Sequence, residues 1–267
     1  MELQQAIRTV GLNDRPVCVH ASLRSFGQLE DGATTVIEAF LSEGCTLLVP
    51  TFTTSYRVVP PVHLRLARNG WNYELPATLP PTASRYYTPA CRETTRDMGA
   101  IPAAILARTD CRRGNHPVCS FTAVGPLATT LIESQSALEV YAPLASLAAH
   151  GGYVALLGVD LTKMTLLHLA EKRAGRTLFR RWAYNPTGEL QQIEVGSCSG
   201  GFKNLQPHLG PLAQVTTVGP SHWSAYPAQR TLDLTAEVIR AQPQITHCDD
   251  PQCIRCADAI AGGPILA

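Results

Sequence analysis

Apolar and polar positions along the first half of the chain alternate between strand-like and helix-like runs. Residues 1–10 carry the spacing of a short amphipathic helix, ended by Gly11 and the Asn13-Asp14 turn before Pro16. Val17-Cys18-Val19-His20 is too apolar and β-branched for a loop and predicts a buried strand. A helical pattern follows Asp31–Thr35 through Val36, Ile37, Ala39, Phe40 and Leu41, and stops at Gly44. Thr46-Leu47-Leu48-Val49 then predicts a second strand, bounded by Pro50. Strand, helix and strand within about 35 residues make a βαβ unit, hence a parallel pair.

Further on, 98–108 predicts a helix with Pro102 near its first turn, and 126–137 and 144–150 predict two more. Tyr153–Val159 is the strongest strand, followed at once by a helix from Thr165 to Ala174. Residues 189–195 alternate polar and apolar, which suits an antiparallel hairpin. Together these predict one α/β domain over 1–267, with a mainly parallel central sheet flanked by helices and an antiparallel β-hairpin region near the C-terminus. Residues 53–92 break the rhythm. They hold four of the eight tyrosines and six prolines without periodicity, which predicts a long ordered insertion over the sheet.

Charge narrows the function classes. Lys plus Arg number 22 against 21 for Asp plus Glu, a net charge of +1, so no basic face for nucleic acid is expected. The apolar runs are far shorter than the ~20 residues of a membrane helix. The opening MELQQAIRTVGLNDRP lacks the basic start and apolar run of a signal peptide. The expectation is a soluble cytoplasmic protein, monomer or homodimer, with neither nucleic acid nor membrane as partner.

Nine cysteines at irregular spacings read as mostly reduced, with Cys18, Cys45 and Cys119 as small apolar filler. The segment 247–256 is different. His247, Cys248, Cys253 and Cys256 offer four soft ligands on about ten residues, enough for a tetrahedral zinc. A full signal needs two separated pairs, and His247 beside Cys248 has awkward reach. The expectation is therefore reduced structural thiols closing the segment onto the domain, with no metal.

Ligands of open α/β sheets bind beyond the carboxyl ends of strands. Three such ends are rich in hydroxyls: His20-Ala21-Ser22-Leu23-Arg24-Ser25, Pro50-Thr51-Phe52-Thr53 and Asp160 to Thr165. His168 and Glu171 stand at i and i+3 on the helix after the strongest strand, so they share one face. An imidazole held by a carboxylate is the arrangement of a general base. His116, held extended by Pro117, is a second histidine to place. No Walker loop, dinucleotide glycine fingerprint or Gly-x-Ser-x-Gly elbow is present. The residues alone lead to an α/β enzyme with a histidine base and an open substrate.

Six segments, in order between residues 17 and 180, resemble the aminoglycoside 3-N-acetyltransferase family, antibiotic acetyltransferases outside the common GNAT fold. They are Val19–Gly27, Pro50–Thr53, Met98–Pro102, His116–Gly125, Ala142–Leu147, and Leu156–Val159 with Thr165–Glu171. The resemblance implies acetyl-coenzyme A as co-substrate and a primary amine as acceptor, with the 3-amino group of an aminoglycoside as the family's acceptor. It implies His168 as the base, Ser22, Leu23 and Thr51 along the pantetheine channel, and Thr165, His116 and Ser120 around the thioester. Ser25 and Met98 belong to the same cofactor-binding segments. Many drug-modifying members carry an acidic stretch after residue 185, whereas here Glu194 is the only carboxylate of 193–200, and 53–92 adds only Glu74. Either Glu171 or Glu194 partners the base, and both stay open. So do two other functions: acyl transfer to a non-antibiotic small amine, and a non-catalytic CoA-binding protein whose cysteine cluster holds a metal or partner.

Overall fold

The computed structural model describes residues 2–74 and 85–266. The proline-rich part of the 53–92 segment, residues 75–84, lies outside the described residues. The elements run α1 (Glu2–Thr9), β1 (Pro16–Ala21), α2 (Ala33–Ser42), β2 (Thr46–Pro50), α3 (Ala100–Ala107), β3 (Arg112–Arg113) and β4 (Phe121–Val124). They continue α4 (Ala128–Ile132), α5 (Ala142–Ala149), β5 (Tyr153–Leu157), α6 (Leu166–Arg173), β6 (Phe179–Tyr184) and β7 (Leu190–Val195). The last are α7 (Gln206–Leu209), β8 (Gln214–Val218), β9 (Ser221–Pro227), α8 (Ala228–Ala241) and α9 (Ile254–Ile260).

Seven strands form one sheet in the order β3-β4-β2-β1-β5-β9-β8, and β6 with β7 makes a separate antiparallel hairpin. The centre is parallel: Cys18 of β1 pairs with Leu48 of β2 and Val154 of β5. Antiparallel strands close both sides. This is the α/β fold expected, although the parallel part is confined to the middle three strands.

Period-two alternation sorts the central strands onto two faces. Val17, Val19, Leu47, Val49 and Leu157 pack on one side with Ile7 of α1, Phe40 of α2 and Ile105 of α3. Cys18, Leu48, Val154 and Leu156 pack on the other with Leu131 of α4, Leu144 of α5, Leu167 of α6 and Leu232 of α8. Both faces of β1, β2 and β5 are covered, so these strands read as unbroken apolar runs. Among the described residues no helix is long and apolar enough to cross a membrane.

One expectation changes. The helix expected over 126–137 is only Ala128–Ile132. The buried amide of Gln135 takes over the hydrogen bonding there, accepting from Phe121 N and donating to the carbonyls of Cys119 and Val140. The described parts of 53–92 run along the hairpin and also bond to the β3 edge of the main sheet, where Tyr87 donates to Gly114 O and Arg113 to Cys91 O. Val58 bridges to Trp182, and Tyr86 to Tyr184. Asn69 donates to Arg180 O at 2.9 Å and accepts from Arg180 N at 2.7 Å. Gly70, at φ +58°, lies so close that a Cβ would stand 2.4 Å from the Phe179 ring. A two-stranded hairpin is marginal alone, and this strap supplies the packing it lacks.

Candidate active site

The carboxyl ends of β1, β2 and β5 open into a cleft of about 1230 Å³. Ser22 and Leu23 come from the first, Phe52 from the second, and Val159 and Thr162–Thr165 from the third. Thr165 starts α6 without a side-chain capping bond, so its hydroxyl is free for the cleft. His168 lies one turn on and lines the same space.

The imidazole is held from several directions. Nδ1 of His168 is 2.8 Å from Oε2 of Glu171. The Ser197 hydroxyl donates to that oxygen at 2.7 Å. Arg176 donates to Oε1 at 2.7 Å, and itself rests on Thr246 Oγ1 and Pro243 O, each at 2.7 Å. Glu171 is 1% exposed. Burial opposes its charge, but His168, Ser197 and Arg176 outweigh it and hold the carboxyl below its ordinary value. The ring stacks on Tyr141 at 5.9 Å and tilts against Phe202 at 4.8 Å. Gly196 presses on its edge, since a Cβ there would come within 2.7 Å of His168 Cδ2. A charged acceptor on Nδ1 favours the tautomer with its proton on that side, leaving Nε2 able to take a proton.

Glu194 lies in a different cluster. It sits 2.7 Å from Arg180 Nη1 and 3.0 Å from Lys172 Nζ, and among the described residues no hydrogen bond or ion pair joins it to His168. Of the two carboxylates left open by the sequence, Glu171 is the one on the ring.

The cofactor candidates divide. Ser22, Leu23, Met98 and Thr165 line the cleft; Ser25, Thr51, His116 and Ser120 do not. Ser25 donates to Ser22 O at 2.7 Å and so shapes the first loop. Thr51 and Ser120 are fully buried, bonded to each other's main chain and, through Ser120, to Arg113. His116 accepts the amides of Val118 and Cys119 on Nδ1, and burial holds it down to about 4. These four fix the walls from behind: the three hydroxyls and His116 Nδ1 are already engaged within the protein, while His116 Nε2 is buried without a partner among the described residues. Another histidine, His20, does line the cleft. Its polar contact is the Cys18 sulfur at 3.7 Å, burial lowers it to about 4, and among the described residues no carboxylate bonds to it.

Several lining residues escaped the sequence analysis. Arg57 and Arg181 share one indole: their Cζ atoms lie 4.7 Å and 4.8 Å from the Trp71 ring. Arg255 donates to the Ser197 carbonyl and joins them. Burial first, then Arg57 and Arg255, draw Arg181 down to about 10. Among the described residues none of these three guanidiniums has an ion-pair partner, and Arg24, Arg96 and Lys163 have none either. Residues 75–84 contain no carboxylate. Arginines from 57, 181 and 255 share no sequence motif, so only the fold could bring them together.

A carboxylate-held histidine lining a cleft at the carboxyl edge of three parallel strands marks an α/β protein with its candidate site where open α/β sheets bind ligands. The chain belongs to the aminoglycoside 3-N-acetyltransferase family, whose profile matches residues 18–240. Among curated relatives, aminoglycoside N(3)-acetyltransferase III of Serratia marcescens is 35% identical over 184 residues, 65% of each chain. Matches to such relatives thus span just under two thirds of their length. A mutant of aminoglycoside acetyltransferase AAC(3)-IVa solved in complex with a gentamicin aligns with a TM-score of 0.76 and 23% identity, over 98% of this chain and 96% of that one. AAC-IIIb, solved with CoASH, aligns at 0.70 and 22%, over 90% and 95%. At these identities the two structures establish the shared fold.

Proposed function

We propose that the protein transfers acetyl from acetyl-CoA to a primary amine, with His168 as the general base. The chain Arg176–Glu171–His168, ending inside the cleft, carries the reading. Nε2 of His168 takes a proton from the amine as its nitrogen attacks the thioester carbon. The new C–N bond forms, the C–S bond breaks, and the coenzyme thiolate leaves and is protonated. Glu171 stabilises the imidazolium produced, and the Thr165 hydroxyl is placed to donate to the carbonyl oxygen as it gains charge. The exposed cations Arg24, Arg96 and Lys163 suit the phosphates of the coenzyme, and Ser22, Leu23 and Met98 its pantetheine arm. We read the protein as cytoplasmic, where acetyl-CoA is supplied and its thiols stay reduced.

Family membership makes an aminoglycoside 3-amino group the first acceptor to consider. The Arg57–Trp71–Arg181 stack with Arg255 favours a second reading, an amine that also carries a carboxylate or phosphate. Asp97 is the sole carboxylate lining the cleft among the described residues, which leaves a polycation without countercharge. Both readings require acetyl-CoA to bind. At a hundred times its dissociation constant it should stabilise the fold by about 2.7 kcal/mol, seen as a raised melting temperature. No shift with millimolar acetyl-CoA or CoA sinks the transferase reading. Thiol release with aminoglycosides on one side and amino acids or amino-sugar phosphates on the other then separates the acceptors. With an anionic acceptor, Arg57→Gln and Arg255→Gln should raise KM; with an aminoglycoside they should lower it or leave it unchanged.

A further inference from the structure

We propose that Cys198, Cys248, Cys253 and Cys256 bind one zinc ion as a tetrathiolate site. Their Sγ atoms all lie within 4.8 Å of one another. Cys198 comes from the loop after β7, Cys248 from the loop after the 3-10 turn Pro243–Thr246, and Cys253 and Cys256 from the start of α9. Tetrahedral zinc with Zn–S bonds of about 2.3 Å holds its sulfurs ~3.8 Å apart, so small side-chain adjustments close the site. Spacing alone points to His247 as the fourth ligand. Its Nδ1 is instead bonded to the Cys248 carbonyl at 2.8 Å, and Cys198, some fifty positions earlier, takes the corner. Four soft sulfur donors without an oxygen ligand select zinc over magnesium, calcium or manganese.

The surrounding backbone is built for thiolates. Cys248 N donates to Cys256 Sγ at 3.4 Å, the kind of amide contact that thiolate ligands receive. Gly200 and Gly201 let the two segments meet. A Cβ on Gly200 would stand 2.9 Å from Cys248 Cβ, and one on Gly201 would stand 2.2 Å from the Thr246 carbonyl oxygen. The site also reaches the cleft. Cys198 follows Ser197, whose hydroxyl holds Glu171, and Arg255 lies between two of the ligands and donates to the Ser197 carbonyl. The ion would hold Ser197 and Arg255 in place, and no chemical step passes through it.

Protein purified without chelators from zinc-supplemented cells should contain about one equivalent of zinc by mass spectrometry of the elements. Cobalt(II) exchanged into the site should give a thiolate-to-metal charge-transfer band and the visible bands of tetrahedral cobalt. Cys253→Ser should abolish the spectrum or displace it, while Cys111→Ser, a thiol outside the cluster, leaves it unchanged. A strong chelator should lower the melting temperature of the wild type. The proposal is overturned if folded wild-type protein takes up neither zinc nor cobalt, which needs no variant to fold. It is equally overturned if Cys253→Ser and Cys256→Ser keep the wild-type cobalt spectrum, or if peptide mapping of freshly purified reduced protein finds disulfides among the four.

Discussion

Replacing His168 by alanine should lower turnover by roughly a hundredfold or more, the usual worth of a positioned proton acceptor. Acetyl-CoA binding should change little, because Ser22, Leu23, Met98 and Thr165 line the cleft independently of the ring. The loss belongs in kcat rather than in KM, since the proton moves as the C–N bond forms. His168→Gln is the better-packed control: it fills part of the space between Tyr141 and Phe202 and still cannot accept the proton. Thiol release with a good acceptor, corrected for folded fraction, gives the comparison. If either variant keeps more than about a third of wild-type turnover, a difference well under 1 kcal/mol, the base is elsewhere. His20 is then the place to look, because it lines the cleft and His116 does not.

The sequence carried the frame of this molecule well. Val17–His20, Thr46–Val49 and Tyr153–Val159 are apolar on both faces, and strands of that kind have one place to go, the centre of a sheet covered by helices on each side. Their hydroxyl-rich ends and the i, i+3 spacing of His168 and Glu171 pointed to the sheet edge at which the cleft opens, although Ser25 and Thr51 do not line it. Legibility failed where a partner distant in the chain decides. Gln135 ends a helix by bonding to strand residues, which no local window records. Thr51 and Ser120 have the right residue types for a ligand but spend them on each other. Cys198 joins cysteines some fifty positions away, and Arg57, Arg181 and Arg255 meet around one indole only after the strap and the hairpin have packed. By contrast, α8 was there to be seen: Leu232, Ala236 and Ile239 hold helical spacing and are all buried.

Glu171 should prove costlier to the protein than any other single carboxylate. Its removal as Glu171→Ala leaves Arg176, 7% exposed, buried without a countercharge, and should destabilise the fold by about 3–5 kcal/mol. Glu171→Gln separates stability from chemistry. The amide keeps the shape but offers one acceptor oxygen where the carboxylate serves Arg176 on one side and both His168 and Ser197 on the other. If the oxygen stays with Arg176, the amide N–H faces His168 Nδ1 and favours the tautomer with the proton on Nε2, which blocks the base. Turnover of the folded fraction should therefore fall by roughly tenfold or more. Glu194→Gln should spare it, since Glu194 answers Arg180 and Lys172 instead. The pH dependence has a definite sign. A carboxyl held below its ordinary value contributes stability that is complete above the ordinary carboxylate range and is lost as the pH falls through the lowered value. Melting temperatures from neutral to acid pH should thus drop more steeply for wild type than for Glu171→Gln. Parallel acid limbs in the two proteins, together with unchanged turnover in the variant, would show that the carboxylate on the ring does nothing for either fold or base.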